Sequence, residues 1–107
     1  MFDNPRFALY QAEYTVVAPE KMSEDKSETY SLAGKCCESG DLIAEGVELP
    51  KMYPNDIIAV LSTGAYNFSM ASNYNRNLIP SVVMVKDGQS RIIVKGQTID
   101  DLLDRDV

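Results

Sequence analysis

PSVVMVKDGQSRIIVK, residues 80–95, contains two runs rich in β-branched residues on either side of Asp87 and Gly88. An Asp-Gly pair between such runs favours a tight turn, because both residue types tolerate a positive φ. The pattern predicts a β-hairpin whose strands lie near residues 80–85 and 91–95.

Upstream segments add further strands to this hairpin. Residues 7–17 place Tyr10, Tyr14 and Val16 at even positions, which is the period-two pattern of a half-buried strand. Residues 29–37 and 56–61 predict two more strands.

The remaining segments are breaker-rich or short. Residues 42–54 are irregular because Gly46 and two prolines interrupt them, and residues 62–77 predict a loop or a short helix. Thr98 is a suitable N-cap for a short acidic C-terminal helix. Strands dominate without helix–strand alternation, so the prediction is an all-β fold. We expect an antiparallel barrel-like domain of six or seven strands that ends in this helix.

Length and composition limit the classes of function. The chain has 107 residues, enough for one domain, with 45% hydrophobic and 24% charged residues. Its net charge of −6 argues against binding nucleic acid or an anionic membrane. Neither a signal peptide nor a membrane-spanning segment is recognisable, so we expect a cytoplasmic protein.

Cysteine and histidine usage narrows the chemistry. The chain has no histidine, which excludes a Ser-His-Asp triad and any histidine-based metal site, and we expect no metal. Its two cysteines, Cys36 and Cys37, are adjacent, and neighbouring Cα atoms are too close for an ordinary disulfide. The absence of a disulfide framework favours a reducing compartment.

Three groups of residues could carry chemistry. Cys37-Glu38-Ser39-Gly40-Asp41 places a thiol beside carboxylates on a tight turn; adjacent negative charge disfavours a thiolate, so the thiol suits proton donation. Gly64-Ala65-Tyr66-Asn67 suits a phosphate or another polar ligand. Arg6 and Tyr10, four residues apart, share a face of an extended strand and would form a carboxylate receptor. Each group also has a structural interpretation: a polar turn with a buried cysteine, a surface loop, and a solvated arginine.

Taken in order, these segments resemble the C-terminal β-domain of the diaminopimelate decarboxylases, which are pyridoxal-phosphate enzymes with an alanine-racemase-like fold. The resemblance covers essentially the whole chain. It rests on four motifs: Arg6-Phe7-Ala8-Leu9-Tyr10, Gly34-Lys35-Cys36-Cys37-Glu38-Ser39-Gly40-Asp41, Gly64-Ala65-Tyr66 and Tyr74-Asn75.

The resemblance implies a role for each matching residue. Arg6 and Tyr10 would bind the distal carboxylate of meso-diaminopimelate, and Glu38 would pair with its distal ammonium. Cys37 would enter the active site of the neighbouring subunit in a homodimer and donate the proton that replaces the lost carboxyl group. Tyr66 would contact the substrate and also the pyridoxal phosphate near its phosphate group. The product would be L-lysine, with release of carbon dioxide.

The resemblance also implies that residues 1–107 form only a C-terminal domain. The (β/α)₈ barrel of the family, with the lysine that carries the cofactor, is absent from this sequence. We therefore expect the isolated chain to be inactive and to expose a strand edge. Two alternatives stay open: a related ornithine- or arginine-type decarboxylase, which tends to have Asp at the position of Glu38, and a non-enzymatic β-module.

Overall fold

The computed structural model describes residues 3–107. In these residues strand predominates over helix, as the sequence predicts. The elements in chain order are helix α1 (Arg6–Tyr10), strand β1 (Val16–Val17), a 3₁₀ turn (Pro19–Lys21), β2 (Glu28–Ala33), β3 (Leu42–Leu49), β4 (Ala59–Val60), helix α2 (Asn67–Met70), a second 3₁₀ turn (Tyr74–Arg76), β5 (Val82–Lys86), β6 (Gln89–Val94) and helix α3 (Ile99–Leu103).

The strands form three antiparallel pairs, β1 with β4, β2 with β3, and β5 with β6. Within residues 3–107 these pairs stay separate and do not close a barrel. The same residues contain no helix that is long and apolar enough to cross a membrane.

The hairpin and the C-terminal helix form where the sequence predicts them. Asp87 and Gly88 make the turn with φ values of 52° and 72°, and Val83 pairs with Ile92 across the strands. Helix α3 begins with a capping box in which the side chains of Thr98 and Asp101 bond to each other's backbone N–H.

The N-terminal strand prediction is wrong over most of residues 7–17. Arg6–Tyr10 is helical, and only Val16–Val17 is a strand. Ala8 and Leu9 are strong helix formers, and Pro5 before them already has helical angles, φ −82° and ψ −1°. The helix ends at Gln11, whose left-handed φ is 54°.

Residues 42–54 are more regular than the sequence predicts, because Leu42–Leu49 forms the longest strand described. Gly46 has a φ of +66° and lies at a bulge. There the single residue between Tyr30 and Leu32 opposes the two residues between Ala44 and Val47. The glycine that suggests a break therefore bends a continuous strand.

The core is small and lies between the β2–β3 and β1–β4 pairs. Val16, Ala44 and Leu49 are buried there, and Tyr30 and Met52 pack against them. The radius of gyration is 15.6 Å, above the ~13 Å expected for a compact domain of this length.

The β5–β6 hairpin stands outside this core and keeps large apolar side chains exposed. Val85 and Ile92 are 69% and 62% exposed, respectively.

Candidate functional site

Helix α1 brings the two predicted carboxylate-binding residues together. Arg6 opens the helix, and Tyr10 lies one turn later on the same face. Arg6 Nε donates a hydrogen bond of 2.7 Å to Tyr10 Oη. The predicted pairing is therefore present, although a helix makes it rather than a strand.

Two more tyrosines enclose the Arg6 guanidinium. Its Nη1 donates to Tyr14 Oη at 3.3 Å. The Cζ atom lies 5.4 Å from the ring centre of Tyr10, 5.9 Å from that of Tyr14 and 5.6 Å from that of Tyr66. Each distance is within the range of a cation–π contact. We call these four residues the arginine cluster.

The positive charge of Arg6 has no ion-pair partner among the residues that the structure describes. Within residues 3–107, no carboxylate lies at ion-pair distance from Arg6. The hydrogen bond with Tyr10 raises the pKa of Arg6 above its already high value, so the guanidinium stays charged. A cation held by phenols, with no anion of its own, can receive the carboxylate of a ligand.

Tyr66 joins the cluster from a strained position. Its backbone φ of 70° is unusual for a bulky residue, and the residue lies just before helix α2 with 66% of its surface exposed. The Ser69 hydroxyl donates to the Tyr66 carbonyl at 2.9 Å. Beside it, the buried Oδ1 of Asn67 has no hydrogen-bond partner among the described residues.

Residues 34–41, which we call the cysteine loop, connect β2 to β3 and carry the second group of predicted residues. The anchor of the loop is Asp41, whose side chain is buried: its Oδ2 accepts 2.8 Å from the Cys36 N–H. The Asp41 carbonyl accepts 2.7 Å from the N–H of Gly34. The anchor leaves Cys37 and Glu38 exposed at the tip of the loop.

The carboxyl group of Asp41 stays ionised despite its burial. Burial raises its pKa, but hydrogen bonds to the carboxylate, including the one from the Cys36 N–H, outweigh that effect and lower the pKa below 3.8. The ionised carboxylate of Asp41 lies against Gly34 and places a fixed negative charge at the base of the cysteine loop.

A second loop packs beside the first. Asn77 Nδ2 donates to the Cys36 thiol at 3.8 Å and to the Tyr74 carbonyl at 2.9 Å. The two residues before Asn77, which are Asn75 and Arg76, have left-handed backbone angles that are unusual for residues other than glycine. Arg76 in turn forms a two-point ion pair with Asp106, with distances of 2.8 and 3.0 Å. Asp106, near the C-terminus, thus contacts the loop that contains Tyr74 and Asn75.

The predicted site residues therefore form two groups. Arg6, Tyr10 and Tyr66 belong to the arginine cluster, whereas Cys37 and Glu38 lie on the cysteine loop. Across the described residues, no hydrogen bond, ion pair or ring contact joins the two groups. Nor does any group of three acidic, cysteine or histidine side chains there form a candidate metal site.

Sequence reasoning overlooked two members of this site, Tyr14 and Asn4. The sequence pattern places Tyr14 only in a strand, whereas in the structure its hydroxyl donates to Asn4 Oδ1 at 3.2 Å. Asn4 is a buried polar residue beside Arg6. The sequence feature that could indicate this contact is the tyrosine itself, which lies eight residues after Arg6 and beyond the end of the helix.

Comparison with known proteins identifies the family to which this chain belongs. Residues 1–64 match the family described as "Pyridoxal-dependent decarboxylase, C-terminal sheet domain". The chain is 46% identical over 107 residues to a diaminopimelate decarboxylase of Bacillus subtilis, covering 100% of this chain and 24% of the relative. It is 48% identical over 106 residues to one from Synechocystis sp., covering 99% and 23%.

A solved structure gives the same result. The diaminopimelate decarboxylase of M. jannaschii in complex with L-lysine superimposes with a TM-score of 0.87 and 33% identity, covering 100% of this chain and 24% of that chain. The chain thus spans about a quarter of the length of these relatives. It belongs to the pyridoxal-dependent decarboxylase family and corresponds to the C-terminal sheet domain of that family.

Proposed function

We propose that this chain is the C-terminal domain of a diaminopimelate decarboxylase, which converts meso-2,6-diaminopimelate to L-lysine and carbon dioxide in the last step of lysine biosynthesis. The observation that carries the proposal is the Arg6 guanidinium, enclosed by phenols and without a carboxylate partner among residues 3–107. A substrate with a second carboxylate distinguishes this reaction from decarboxylation of ornithine or arginine.

The arginine cluster recognises the distal carboxylate of the substrate. Arg6 supplies the charge and directional N–H donors, while Tyr10 fixes Nε and presents its hydroxyl beside it. Tyr10 is in turn held by its hydrogen bond to the Met70 sulfur at 3.6 Å. The tyrosines position the guanidinium through hydrogen bonds and ring contacts, and they supply no carboxylate to pair with it.

Cys37 and Glu38 act from the exposed cysteine loop. The carboxylate of Glu38 pairs with the distal ammonium of the substrate, and the Cys37 thiol donates the proton that replaces the lost carboxyl group. Asp41 under Gly34 fixes the base of the loop and leaves these two side chains accessible to a ligand or another subunit.

The separation of the two groups favours a homodimer with shared active sites. One copy provides the arginine cluster, and the cysteine loop of the other copy completes it. An isologous two-fold dimer creates two such composite sites.

Pyridoxal phosphate fits this arrangement at Tyr66, whose exposed ring beside the Arg6 guanidinium suits an aromatic, anionic group. When bound, the cofactor supplies the electron sink for decarboxylation. In this proposal, the lysine that carries it lies in a (β/α)₈ barrel outside this chain.

The fold of the isolated chain suits a domain that is completed by other residues. The remaining polypeptide would cover the exposed apolar hairpin β5–β6. It would also supply a donor to the buried Asn67 Oδ1, which has no hydrogen-bond partner among residues 3–107. We propose that the remaining polypeptide closes the barrel-like sheet. Two thiols without a disulfide are in keeping with the reducing cytoplasm as the compartment.

The test uses a chimaera in which this chain replaces the matching quarter of the Bacillus subtilis relative. We expect lysine formation from meso-diaminopimelate and none from ornithine or arginine. Arg6→Ala should lower kcat/KM by about 10- to 100-fold, the usual effect of losing a charged hydrogen bond. Arg91→Ala, on the distant strand β6, is the matched control. Preference for ornithine or arginine would refute the substrate assignment.

Subunit complementation tests the shared site. Arg6→Ala and Cys37→Ser chimaeras should each keep no more than about a tenth of the wild-type activity. When they are denatured and refolded together, random pairing restores one intact site in half of the dimers, or about a quarter of wild-type activity. No restoration would place both groups in one subunit. The isolated chain, incubated with cofactor and substrate, should release no carbon dioxide.

A further inference from the structure

We propose that Asn4 and Tyr14 are positioning residues that fix the Arg6 guanidinium for its carboxylate ligand. This inference rests on the proposed function and adds two residues to it. Neither residue is expected to touch the substrate, so their effect must pass through Arg6.

Hydrogen bonds connect Asn4 to Tyr14 and Tyr14 to Arg6, and we call this chain of contacts the relay. It starts at Asn4, which is only 8% exposed. A buried amide oxygen is unfavourable without hydrogen-bond donors, and Asn4 Oδ1 has two: the Tyr14 hydroxyl at 3.2 Å and the Arg6 backbone N–H at 3.4 Å. The amide thus ties the first residue of helix α1 to a tyrosine beyond the helix end.

Tyr14 passes this constraint to the guanidinium. Its hydroxyl donates its only proton to Asn4, so its lone pairs are left for the Nη1 of Arg6 at 3.3 Å. Without Asn4, the hydroxyl proton would be free to rotate towards Arg6 and weaken this contact. Asn4 therefore sets the direction in which Tyr14 accepts.

The result is a guanidinium constrained on two sides. Tyr10 occupies Nε and Tyr14 occupies Nη1, whereas Nη2 has no hydrogen bond to any of residues 3–107. Two phenol acceptors thus hold the planar group in place, and Nη2 is left to donate hydrogen bonds to a ligand. A carboxylate binds best to a guanidinium whose orientation is fixed in this way.

The experiment compares two ligands that differ by the distal carboxylate. In the chimaera, the KM for meso-diaminopimelate and the Ki of D-lysine are measured; D-lysine has the same reacting end but lacks the distal carboxylate. Tyr14→Phe keeps the ring beside Arg6 and removes only the hydroxyl. We expect the KM to rise about 3- to 10-fold, with kcat and the D-lysine Ki unchanged.

Two further variants make the test specific. Tyr30→Phe is the matched control, since the Tyr30 hydroxyl accepts a comparable hydrogen bond of 2.9 Å from the Met52 N–H in the core; it should leave the ratio of KM to Ki unchanged. Asn4→Ala should reproduce the effect of Tyr14→Phe and be non-additive with it, and it serves as the test if Tyr14→Phe does not fold.

The outcomes separate this inference from the proposed function. If Arg6→Ala abolishes the discrimination between the two ligands while Tyr14→Phe and Asn4→Ala leave it intact, the relay is refuted and the function stands. Equal weakening of both ligands by Tyr14→Phe would mean a purely structural role. If Arg6→Ala itself leaves the discrimination unchanged, the proposed function fails first.

Discussion

Replacing Gly34 with alanine should destabilise the cysteine loop through a single clash. A Cβ atom at Gly34 would lie 2.5 Å from Cγ and 2.6 Å from Oδ1 of Asp41, with Oδ2 closer still. Real Cβ atoms essentially never approach other heavy atoms within 3.0 Å. The carboxylate must therefore move, although its burial and its hydrogen bond to Cys36 hold it in place.

The cost depends on the size of that movement. A shift of roughly 1 Å would stretch the 2.8 Å bond between Asp41 Oδ2 and the Cys36 N–H beyond hydrogen-bonding range. Overpacking costs about 1–3 kcal/mol and a lost hydrogen bond to a charged group about 1.5–3 kcal/mol. Since movement that relieves the first produces the second, the two costs do not add, and we expect a loss of about 1.5–3 kcal/mol in the free energy of unfolding.

Urea unfolding of the 107-residue chain, followed by far-ultraviolet circular dichroism, measures this loss. Gly64→Ala is the matched control, because among residues 3–107, apart from the two chain neighbours, no atom lies within 4 Å of its added Cβ. In an Asp41→Ala background the clashing atoms are gone, so Gly34→Ala should then cost almost nothing. Equal costs of Gly34→Ala in both backgrounds would refute the reasoning.

Three further predictions concern the stability of the same chain, each checked by urea unfolding. Leu49→Ala should cost about 2–5 kcal/mol, because Leu49 is 1% exposed at the centre of a small core. Thr98→Ala should cost about 1 kcal/mol by removing the helix cap, and Thr98→Ser should restore most of it. Stability should fall as the pH is lowered below about 4, the ordinary pKa of an aspartate, because the pKa of Asp56, lowered by Lys21, and that of Asp41 are below their unfolded values; a flat profile would contradict the last prediction.

Local interactions explain which elements the sequence could predict. The hairpin depends on the Asp87-Gly88 turn and the last helix on the cap at Thr98, so neighbouring residues alone determine both. The sequence does not predict strand β3, because the continuity of this strand depends on pairing with β2 across a bulge at Gly46. That pairing is a contact between distant segments, which the pattern of residues 42–54 alone does not include.

The candidate site shows the same division. The sequence predicts the pairing of Arg6 with Tyr10 but places it on a strand, because residues four apart share a face on a helix as well as on a strand. The helix does change the path of the chain beyond Tyr10. A helix is shorter than a strand of the same length in residues, so the Tyr14 hydroxyl can reach Nη1 of Arg6. Sequence spacing could not reveal that contact, because it depends on the left-handed turn at Gln11.

The sequence also does not predict the left-handed backbone conformation of Tyr66. A positive φ at a bulky residue costs about 1–3 kcal/mol and persists only where surrounding contacts enforce it. The Ser69 hydroxyl and helix α2 enforce it here, and the ring is thereby placed beside Arg6. A glycine would adopt this backbone without strain but would contribute no ring. The strain is therefore best explained by the need for a phenol at this position, where the cofactor and substrate meet in the proposed site.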